Sequence, residues 1–335
     1  MLNVAVVGYG YWGPNLVRNF VEAPESEVVM VADISEANLK RVSSRYPAIQ
    51  TTTSVDDIYN NNGIDAVVIA TPVNTHYELA LNALQSGKHV MVEKPMASSS
   101  EQAKHLIQEA QSRNLVLMVD HTFVYTGAVR KIANLVREGE LGDVLYYDST
   151  RINLGLFQHD VNVIWDLAVH DLSIIEYVLN KEPRAVSATG MSHVEGEPEN
   201  VAYLTIYYDD NLIAHVNVNW LAPVKVRRTL IGGSKKMIVY DALEPIETIK
   251  IYDKGIEVET AEDIYRTLIG YRTGDMYSPK VEATEALQLE ARHFIDCIKN
   301  GKTPETDGAA GLRVVKILEA ASESIKNRGS VAELS

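Results

Sequence analysis

The chain has 335 residues, which is too long for one ordinary core and suits two domains. Its net charge of -14 argues against a nucleic-acid or anionic-membrane surface, because both partners require a positive face. The single cysteine, Cys297, excludes an intramolecular disulfide and a thiolate metal cluster. We therefore expect a globular protein with no metal site and with no nucleic-acid or membrane partner.

No targeting or membrane-spanning segment is expected either. The first strand begins at residue 3 without a charged leader, and no window approaches about 18 uninterrupted apolar residues. Nothing in the sequence requires an oxidising compartment. These features together predict a cytoplasmic protein.

Up to about residue 120 the sequence alternates short apolar runs with amphipathic segments. The runs predicted as strands are Val4–Val7, Val28–Ala32, Ala66–Ala70, His89–Val92 and Leu115–Val119. Segments such as Leu79–Gln85 and Ala103–Ala110 have helical spacing. This alternation predicts βαβ units and a doubly wound, mostly parallel sheet, in an α/β domain over residues 1–121.

Three glycines follow the first strand in the spacing G-x-G-x-x-G. Gly8, Gly10 and Gly13 would allow a tight turn and close approach of the backbone to a pyrophosphate at a helix N-terminus. This context predicts a Rossmann dinucleotide site, and a plain turn is the alternative. Tyr11 and Trp12 occupy the x positions, where they either line the cofactor groove or pack in the core.

Asp33 ends the second strand, 20 residues after Gly13. A carboxylate at this point would accept hydrogen bonds from the adenosine ribose and would repel the additional phosphate of NADP. No arginine directly follows Asp33, so the sequence predicts NAD rather than NADP. The alternative is a helix cap for the segment that begins at Ser35.

Thr71 and Pro72 follow the strand Ala66–Ala70, at a candidate topological switch point where open α/β sheets bind ligands. His76 follows them and is a candidate neighbour of the cofactor, although a histidine in the first turn of a helix is more often exposed. These three residues are assigned to the cofactor site.

Glu93, Lys94 and Pro95 come directly after an apolar strand, where the ligand crevice is expected. A lysine at this position has little structural reason, although a salt bridge or a solvated loop is an alternative. A cis bond before Pro95 would fix the angle of Lys94. The segment is therefore a second candidate site.

In the second half, apolar residues recur at helical spacing from Ile164 to Val178. On this helix Asp166 and His170 are four residues apart, hence on one face, where Asp166 could orient His170 or bias its charge. The alternatives are that Asp166 is an N-cap and that His170 is an ordinary core histidine.

Farther along, the apolar period changes to two, which predicts an open, mostly antiparallel sheet in an α+β domain over residues 122–335. The runs are Val201–Tyr208, Ala214–Trp220, Val226–Ile231 and Met237–Tyr240. The polar and aromatic face of this sheet is either a subunit interface or a solvated surface; it carries Tyr203, Tyr207, His215 and Asn217. Helices are predicted over Thr284–Lys299 and Gly308–Lys326, the last of which can pack on the first domain and can be capped by Asp307.

The glycine turn, the Glu93-Lys94-Pro95 segment and Asp166-x-x-x-His170 together resemble the Gfo/Idh/MocA oxidoreductases over nearly the full length. The resemblance implies catalysis by Lys94 and His170, supported by Asp166. The lysine would touch both nicotinamide and the substrate hydroxyl, and His170, or Lys94 through it, would exchange the hydroxyl proton. We assign Glu93, Pro95 and His121 to the cofactor site as well.

Within this family the chain is similar to sugar-nucleotide 3-dehydrogenases. This similarity implies a dehydrogenase or ketoreductase acting on a CH-OH group at C3 of a nucleotide-linked hexose, such as UDP-N-acetylglucosamine or its uronate. Arg151 and Asn153 would then contact the substrate, with a surface or interface ion pair as the alternative for Arg151. The resemblance also implies a homodimer or homotetramer assembled through the C-terminal sheet.

Other functions remain open at this stage. Within enzymes they are an inositol or simple sugar dehydrogenase, and a glycosidase of the same fold that oxidises C3 transiently with bound NAD. A regulator that senses dinucleotide belongs to another class, but it has no need of Lys94 and His170. A metal-dependent hydrolase is disfavoured, because no histidine pair has zincin spacing.

Overall fold

The computed structural model describes residues 1–155, 161–253, 255–257, 270–272 and 274–334. The chain forms two compact units. The first unit contains Met1–Tyr125 and Thr284–Lys316, and the second contains Thr126–Ala283 and Ile317–Ser335. The division after Tyr125 lies close to the predicted boundary at 121, but the segment Thr284–Lys316 belongs with the first unit.

Six strands and five helices make up the N-terminal part of the first unit. The strands are β1 (Leu2–Val7), β2 (Ser26–Ala32), β3 (Gln50–Thr52), β4 (Ala66–Ile69), β5 (His89–Glu93) and β6 (Leu117–Asp120). The helices are α1 (Gly13–Glu22), α2 (Glu36–Arg45), α3 (Asp56–Tyr59), α4 (Val73–Gln85) and α5 (Ser100–Ser112). A single 3-10 turn, Thr122–Tyr125, follows β6.

The sheet of the first unit has the order β3-β2-β1-β4-β5-β6, and every pair is parallel. This is the strand order of the Rossmann fold, in which the direction of winding reverses between β1 and β4. The predicted doubly wound parallel sheet is confirmed. Its central strands are mostly apolar because helices cover both faces of such a sheet, and β4 is buried at all four positions. The edge strand β3, with the sequence Gln50-Thr51-Thr52, is polar and has no buried residue.

The second unit contains helices α6 (Gly127–Arg137) and α7 (Val169–Leu179) and eleven described strands. The strands are β7 (Val144–Leu154), β8 (Ala185–Met191), β9 (Val201–Tyr207), β10 (Ile213–Asn219), β11 (Leu221–Gly233), β12 (Met237–Asp241), β13 (Ile249–Tyr252), β14 (Gly255–Glu257), β15 (Gly270–Arg272), β16 (Met276–Tyr277) and β17 (Ala332–Glu333). Strands β14 and β15 pair with each other.

The other nine strands form one sheet in the order β16-β13-β12-β11-β7-β10-β9-β8-β17. Strand β10 is parallel to β7, and the other described pairs are antiparallel, which confirms the predicted mostly antiparallel sheet. The alternation along β9 and β10 buries Leu204 and Val216, while Tyr203 and His215 stay exposed. The two unlike faces predicted from the period of two are therefore present.

Two helices follow the sheet: α8 (Ala286–Asn300) and α9 (Gly308–Lys326), as predicted. Helix α8 belongs to the first unit, where Phe294 packs edge-on against Phe20 of α1 with ring centroids 6.2 Å apart. Asp307 caps α9, since its Oδ1 accepts the backbone N–H of Ala310 at 2.9 Å. Within the described ranges, every helix is too short or too polar to cross a membrane.

Candidate active site

The glycine turn between β1 and α1 is closely packed at two glycines and open at the third. A Cβ on Gly8 would lie 2.5 Å from the carbonyl oxygen of Ala70, and Gly8 also has a φ of +95°. A Cβ on Gly13 would lie 2.1 Å from the carbonyl oxygen of Gly8. At Gly10, by contrast, no atom of the described ranges comes within 4 Å of the Cβ position. This arrangement fits a dinucleotide, because the open glycine lies beside the N-terminus of α1, where backbone N–H groups bind phosphate.

Asp33 lies after β2 and is oriented by three donors. Its Oδ2 accepts the backbone N–H of Tyr9 at 2.6 Å and the side-chain amide of Asn38 at 3.2 Å, while Oδ1 accepts the backbone N–H of Ser35 at 2.7 Å. The cap of α2 is Ser35, whose hydroxyl accepts from the N–H of Asn38, so Asp33 is not the cap residue. Its carboxylate is only partly buried and has further lone pairs for a ribose.

The three aromatic residues of the turn have different environments. Tyr9 is 2% exposed and lies under the guanidinium of Arg41, which is 5.6 Å from the ring centroid. Tyr11 is 89% exposed. Trp12 is partly buried, and its indole Nε1 donates to Asp120 Oδ2 at 3.0 Å. Core packing therefore describes Tyr9, and Trp12 connects the turn to the end of β6.

At the carboxyl ends of β4 and β5, His76 is buried rather than exposed. Its Nε2 lies 2.7 Å from the carbonyl oxygen of Thr71, and its Nδ1 lies 2.9 Å from that of Pro95. Pro72 is the N-cap residue of α4, and the Lys94–Pro95 peptide bond is cis. The predicted strand-end residues are thus in contact with one another around His76.

Glu93 belongs to a group of three carboxyl side chains that we call the carboxyl cluster: Glu93, Asp120 and Glu290. Lys94 lies close enough to affect the pKa of Glu93. Glu290 comes from α8 and is fully buried. Burial, and next to it the charge of Asp120, raises the pKa of both Glu93 and Glu290 well above the usual range. These two glutamates therefore keep their protons to a higher pH than an ordinary glutamate does. Asp120 accepts from Trp12 and from the hydroxyl of Thr122 at 2.5 Å.

Glu290 is a member of the carboxyl cluster that the sequence analysis did not predict. Both of its carboxylate oxygens are closed off from solvent and have no hydrogen-bond partner of normal geometry among the described residues, although Asp120 and Thr122 are close enough to affect its pKa. The available signal was its spacing, since Glu290 falls on the buried face of α8 with Leu287, Ala291 and Phe294. Among the described residues no group of three or more His, Cys, Asp or Glu side chains can hold a metal ion.

His121 follows Asp120 and is 2% exposed. Neither ring nitrogen has a hydrogen-bond partner within the described residues, and burial lowers its pKa to about 4, which keeps the ring neutral at neutral pH. Its assignment to the cofactor site remains a prediction.

In the second unit, Asp166 and His170 lie on consecutive helical segments. The segment Ile164–Ala168 is a single π-helical turn, and His170 is the second residue of α7. Asp166 is not an N-cap, since Val163 precedes the turn in that position, and its Oδ2 accepts the indole N–H of Trp220 at 3.1 Å. Single π-turns are frequent at functional sites.

Arg151 is 3% exposed and forms a buried ion pair with Asp171. Its Nε lies 2.5 Å from Asp171 Oδ2, and Ser149 donates its hydroxyl to Asp171 Oδ1 at 2.7 Å. This pair gives Arg151 a structural role, but it is buried rather than at a surface or interface. Asn153, two residues along β7, is partly buried. Substrate contact by either residue remains a prediction.

The chain belongs to the Gfo/Idh/MocA family of oxidoreductases. Residues 2–121 match the description "Oxidoreductase family, NAD-binding Rossmann fold", and residues 129–239 match "GFO/IDH/MocA C-terminal domain". The resemblance drawn from the three motifs is confirmed, as are the oxidoreductase class and NAD as the dinucleotide.

Individual relatives are similar over almost the whole chain but at low identity. The scyllo-inositol 2-dehydrogenase (NAD(+)) of Bacillus subtilis is 24% identical over 96% of this chain and 94% of its own. The UDP-N-acetylglucosamine 3-dehydrogenase of Acidithiobacillus ferrooxidans is 26% identical over 94% of each. The crystal structure of GenD2 from gentamicin A biosynthesis in complex with NAD has a TM-score of 0.84 at 23% identity, covering 100% of this chain and 96% of that one.

Proposed function

We propose that the protein is an NAD-dependent dehydrogenase that oxidises a secondary hydroxyl of a sugar or polyol, or reduces the corresponding ketone. The observation that carries this proposal is the position of Lys94. It follows β5 at the carboxyl edge of the sheet whose glycine turn follows β1, so the lysine and the dinucleotide turn lie on the same edge. A dinucleotide sensor has no need of a lysine there.

NAD, when bound, accepts the hydride that leaves the hydroxyl carbon. The residues suited to hold it are the open turn at Gly10, the N-terminus of α1, and Asp33 for the ribose. The hydroxyl proton must leave as the hydride does, and a positioned base accelerates this by about 100- to 10,000-fold. We assign that proton transfer to His170 or Lys94.

The preferred substrate is a nucleotide-linked hexose oxidised at C3, with UDP-N-acetylglucosamine or its uronate as the first compounds to test. The similarity to a UDP-N-acetylglucosamine 3-dehydrogenase supports this choice. The similarity to a scyllo-inositol 2-dehydrogenase favours an inositol as the second candidate.

One screen separates these candidates. The protein is incubated with NAD and, separately, with UDP-N-acetylglucosamine, its uronate, scyllo-inositol, myo-inositol and free glucose, and NADH absorbance is followed. NADH formed only with the UDP-sugars, with a 3-keto product by NMR, supports the preferred substrate, whereas NADH formed only with inositols supports the second. Hydrolysis of a glycoside without net NADH indicates the glycosidase, and NAD binding without turnover indicates the sensor.

The outer face of the second unit's sheet is proposed to bind a second copy of this chain, giving a homodimer or homotetramer. Tyr203 on this face is 54% exposed, and Tyr207 is also exposed. Exposed aromatic residues are enriched in protein interfaces. Light scattering at micromolar concentration should give a mass of at least two chains, and Tyr203→Lys combined with Tyr207→Lys should give a monomer. A monomeric wild type contradicts this assembly.

The cytoplasmic location remains a prediction.

A further inference from the structure

His76 is a buried histidine to which the proposed chemistry gives no role. It lies near the start of α4 and is 1% exposed. Its two ring nitrogens face the carbonyl oxygens of Thr71 and Pro95 at 2.7 and 2.9 Å. Those carbonyls follow β4 and β5, which are adjacent parallel strands. The ring therefore spans the carboxyl ends of two neighbouring strands.

Both carbonyl oxygens can only accept hydrogen bonds, and they face the two nitrogens of one imidazole ring. A neutral ring has one N–H and one lone pair, so it can donate to only one carbonyl at a time, and only the imidazolium can donate to both. Burial lowers the pKa of His76; the two carbonyls oppose that effect, and the charge of Lys94 adds to it. The single N–H of the neutral ring at neutral pH donates to Pro95 in one tautomer and to Thr71 in the other, so each strand end is hydrogen-bonded in one of the two tautomers.

We propose that His76 is a positioning residue that holds the segment carrying Lys94 against the segment Thr71–Pro72. The inference rests on the proposed function, in which Lys94 acts on the substrate. The carbonyl of Pro95 is one residue beyond Lys94, so a contact there fixes the backbone from which the lysine extends. The carbonyl of Thr71 belongs to the turn at the cofactor-binding edge, so a contact there fixes a segment on the dinucleotide side.

Two amide substitutions separate the contacts. An asparagine amide places its N–H₂ near the position of Nδ1, facing Pro95, whereas a glutamine amide places it near Nε2, facing Thr71. His76→Gln should therefore lower turnover about tenfold with the Kd for NADH within about twofold, because one lost hydrogen bond corresponds to about a factor of ten. His76→Asn should raise the Kd for NADH about tenfold with turnover near wild type, and His76→Leu should show both losses.

Hydrogen–deuterium exchange gives a readout that needs no substrate. Exchange should rise in peptides covering 94–98 for His76→Gln and in peptides covering 71–75 for His76→Asn. The matched control is His105→Gln on α5, since His105 is exposed and contacts the hydroxyl of Tyr77. In this control, the exchange of both groups of peptides should stay as in the wild type.

The outcomes distinguish this proposal from a failure of the proposed function. If the wild type binds NADH but oxidises no sugar or polyol, the proposed function fails, while the exchange and NADH titrations still decide the role of His76. Wild-type turnover and NADH affinity in His76→Leu would overturn the proposal. The same loss of thermal stability in the Asn, Gln and Leu variants, with no difference between the two peptides, would show that His76 only packs.

Discussion

The backbone N–H of Tyr9 donates to Oδ2 of Asp33 at 2.6 Å, which joins the start of the glycine turn to the residue after β2. Asn38 and Ser35 donate to the same carboxylate. Three fixed donors hold the carboxylate in one orientation before any ligand binds. Binding therefore needs little further loss of conformational entropy from this side chain. Asp33 therefore presents a fixed negative charge at the place where a ribose or its phosphate would bind.

This charge predicts the choice between NADH and NADPH. Fluorescence titration of the wild type should give a lower Kd for NADH than for NADPH, because the carboxylate repels the additional phosphate. Asp33→Asn should lower the ratio of the Kd for NADPH to the Kd for NADH at least about tenfold, which corresponds to about 1.4 kcal/mol of lost discrimination. The control, Glu36→Gln, removes an exposed charge three residues along and should leave the ratio unchanged. A wild type that binds NADPH more tightly contradicts the prediction.

Lys94 and His170 are predicted to act in turnover and not in dinucleotide binding. Lys94→Ala and His170→Ala should each lower kcat at least about 100-fold while the Kd for NADH stays within about tenfold. The controls are Lys104→Ala and His105→Ala, which remove exposed residues of the same types from α5. Steady-state kinetics and NADH titration provide the measurements, and unchanged turnover in either active-site variant removes that residue from the mechanism.

Five of the six strands of the first unit can be predicted from their apolar runs, whereas the polar edge strand β3 and the strand β7 are harder to predict. The apolar runs of the first unit are buried on both faces, so composition alone marks them. Strand β7 directs Tyr147, Ser149 and Arg151 inward, and two of these three side chains are polar. Buried and exposed residues alternate along β7, but polar residues are among the buried ones. They can be buried because Asp171 from α7 forms hydrogen bonds with Ser149 and Arg151. Such compensation depends on tertiary contacts that no local pattern reports.

Some residues of the candidate site can likewise be predicted from the sequence, whereas others depend on tertiary contacts. Gly8, Asp33 and Lys94 lie at strand ends, where fold geometry concentrates ligand contacts, and their spacing predicted them. Glu290 reaches the carboxyl cluster from α8, far along the chain, and only its place on an apolar helix face pointed to it. The second contact of Trp12, with Asp120, likewise depends on how two distant segments meet.

The raised pKa of Glu290 predicts how stability depends on pH. The folded protein keeps the proton of Glu290 above the usual glutamate pKa of about 4.3, whereas the unfolded chain releases it. The folded state then binds more protons than the unfolded state, so this residue makes the free energy of unfolding fall as pH rises above that value. Glu290→Gln keeps the shape of the protonated acid without titrating.

Urea unfolding of both proteins between pH 5 and pH 8 measures this effect, with both limits approximate and chosen above the usual glutamate pKa. The variant should become more stable relative to wild type as pH rises, by up to about 1.4 kcal/mol per pH unit. The control, Glu27→Gln, removes an exposed carboxylate of β2 and should give a difference that does not vary with pH. A constant difference for Glu290→Gln would place the proton elsewhere in the carboxyl cluster.

The ion pair between Arg151 and Asp171 is predicted to stabilise the second unit only while both partners are present. Asp171→Asn leaves a buried guanidinium without its counter-charge, which costs about 3–5 kcal/mol, whereas exposed pairs contribute about 0–1 kcal/mol. The matched control is Arg184 with Asp209, whose side chains are 66% and 71% exposed at a distance of 3.0 Å. Asp209→Asn should therefore change the free energy of unfolding little.

The double variant Arg151→Met with Asp171→Leu should recover much of the loss, because two apolar side chains leave no charge to desolvate. Equal effects of Asp171→Asn and Asp209→Asn in urea unfolding would contradict the burial of the first pair.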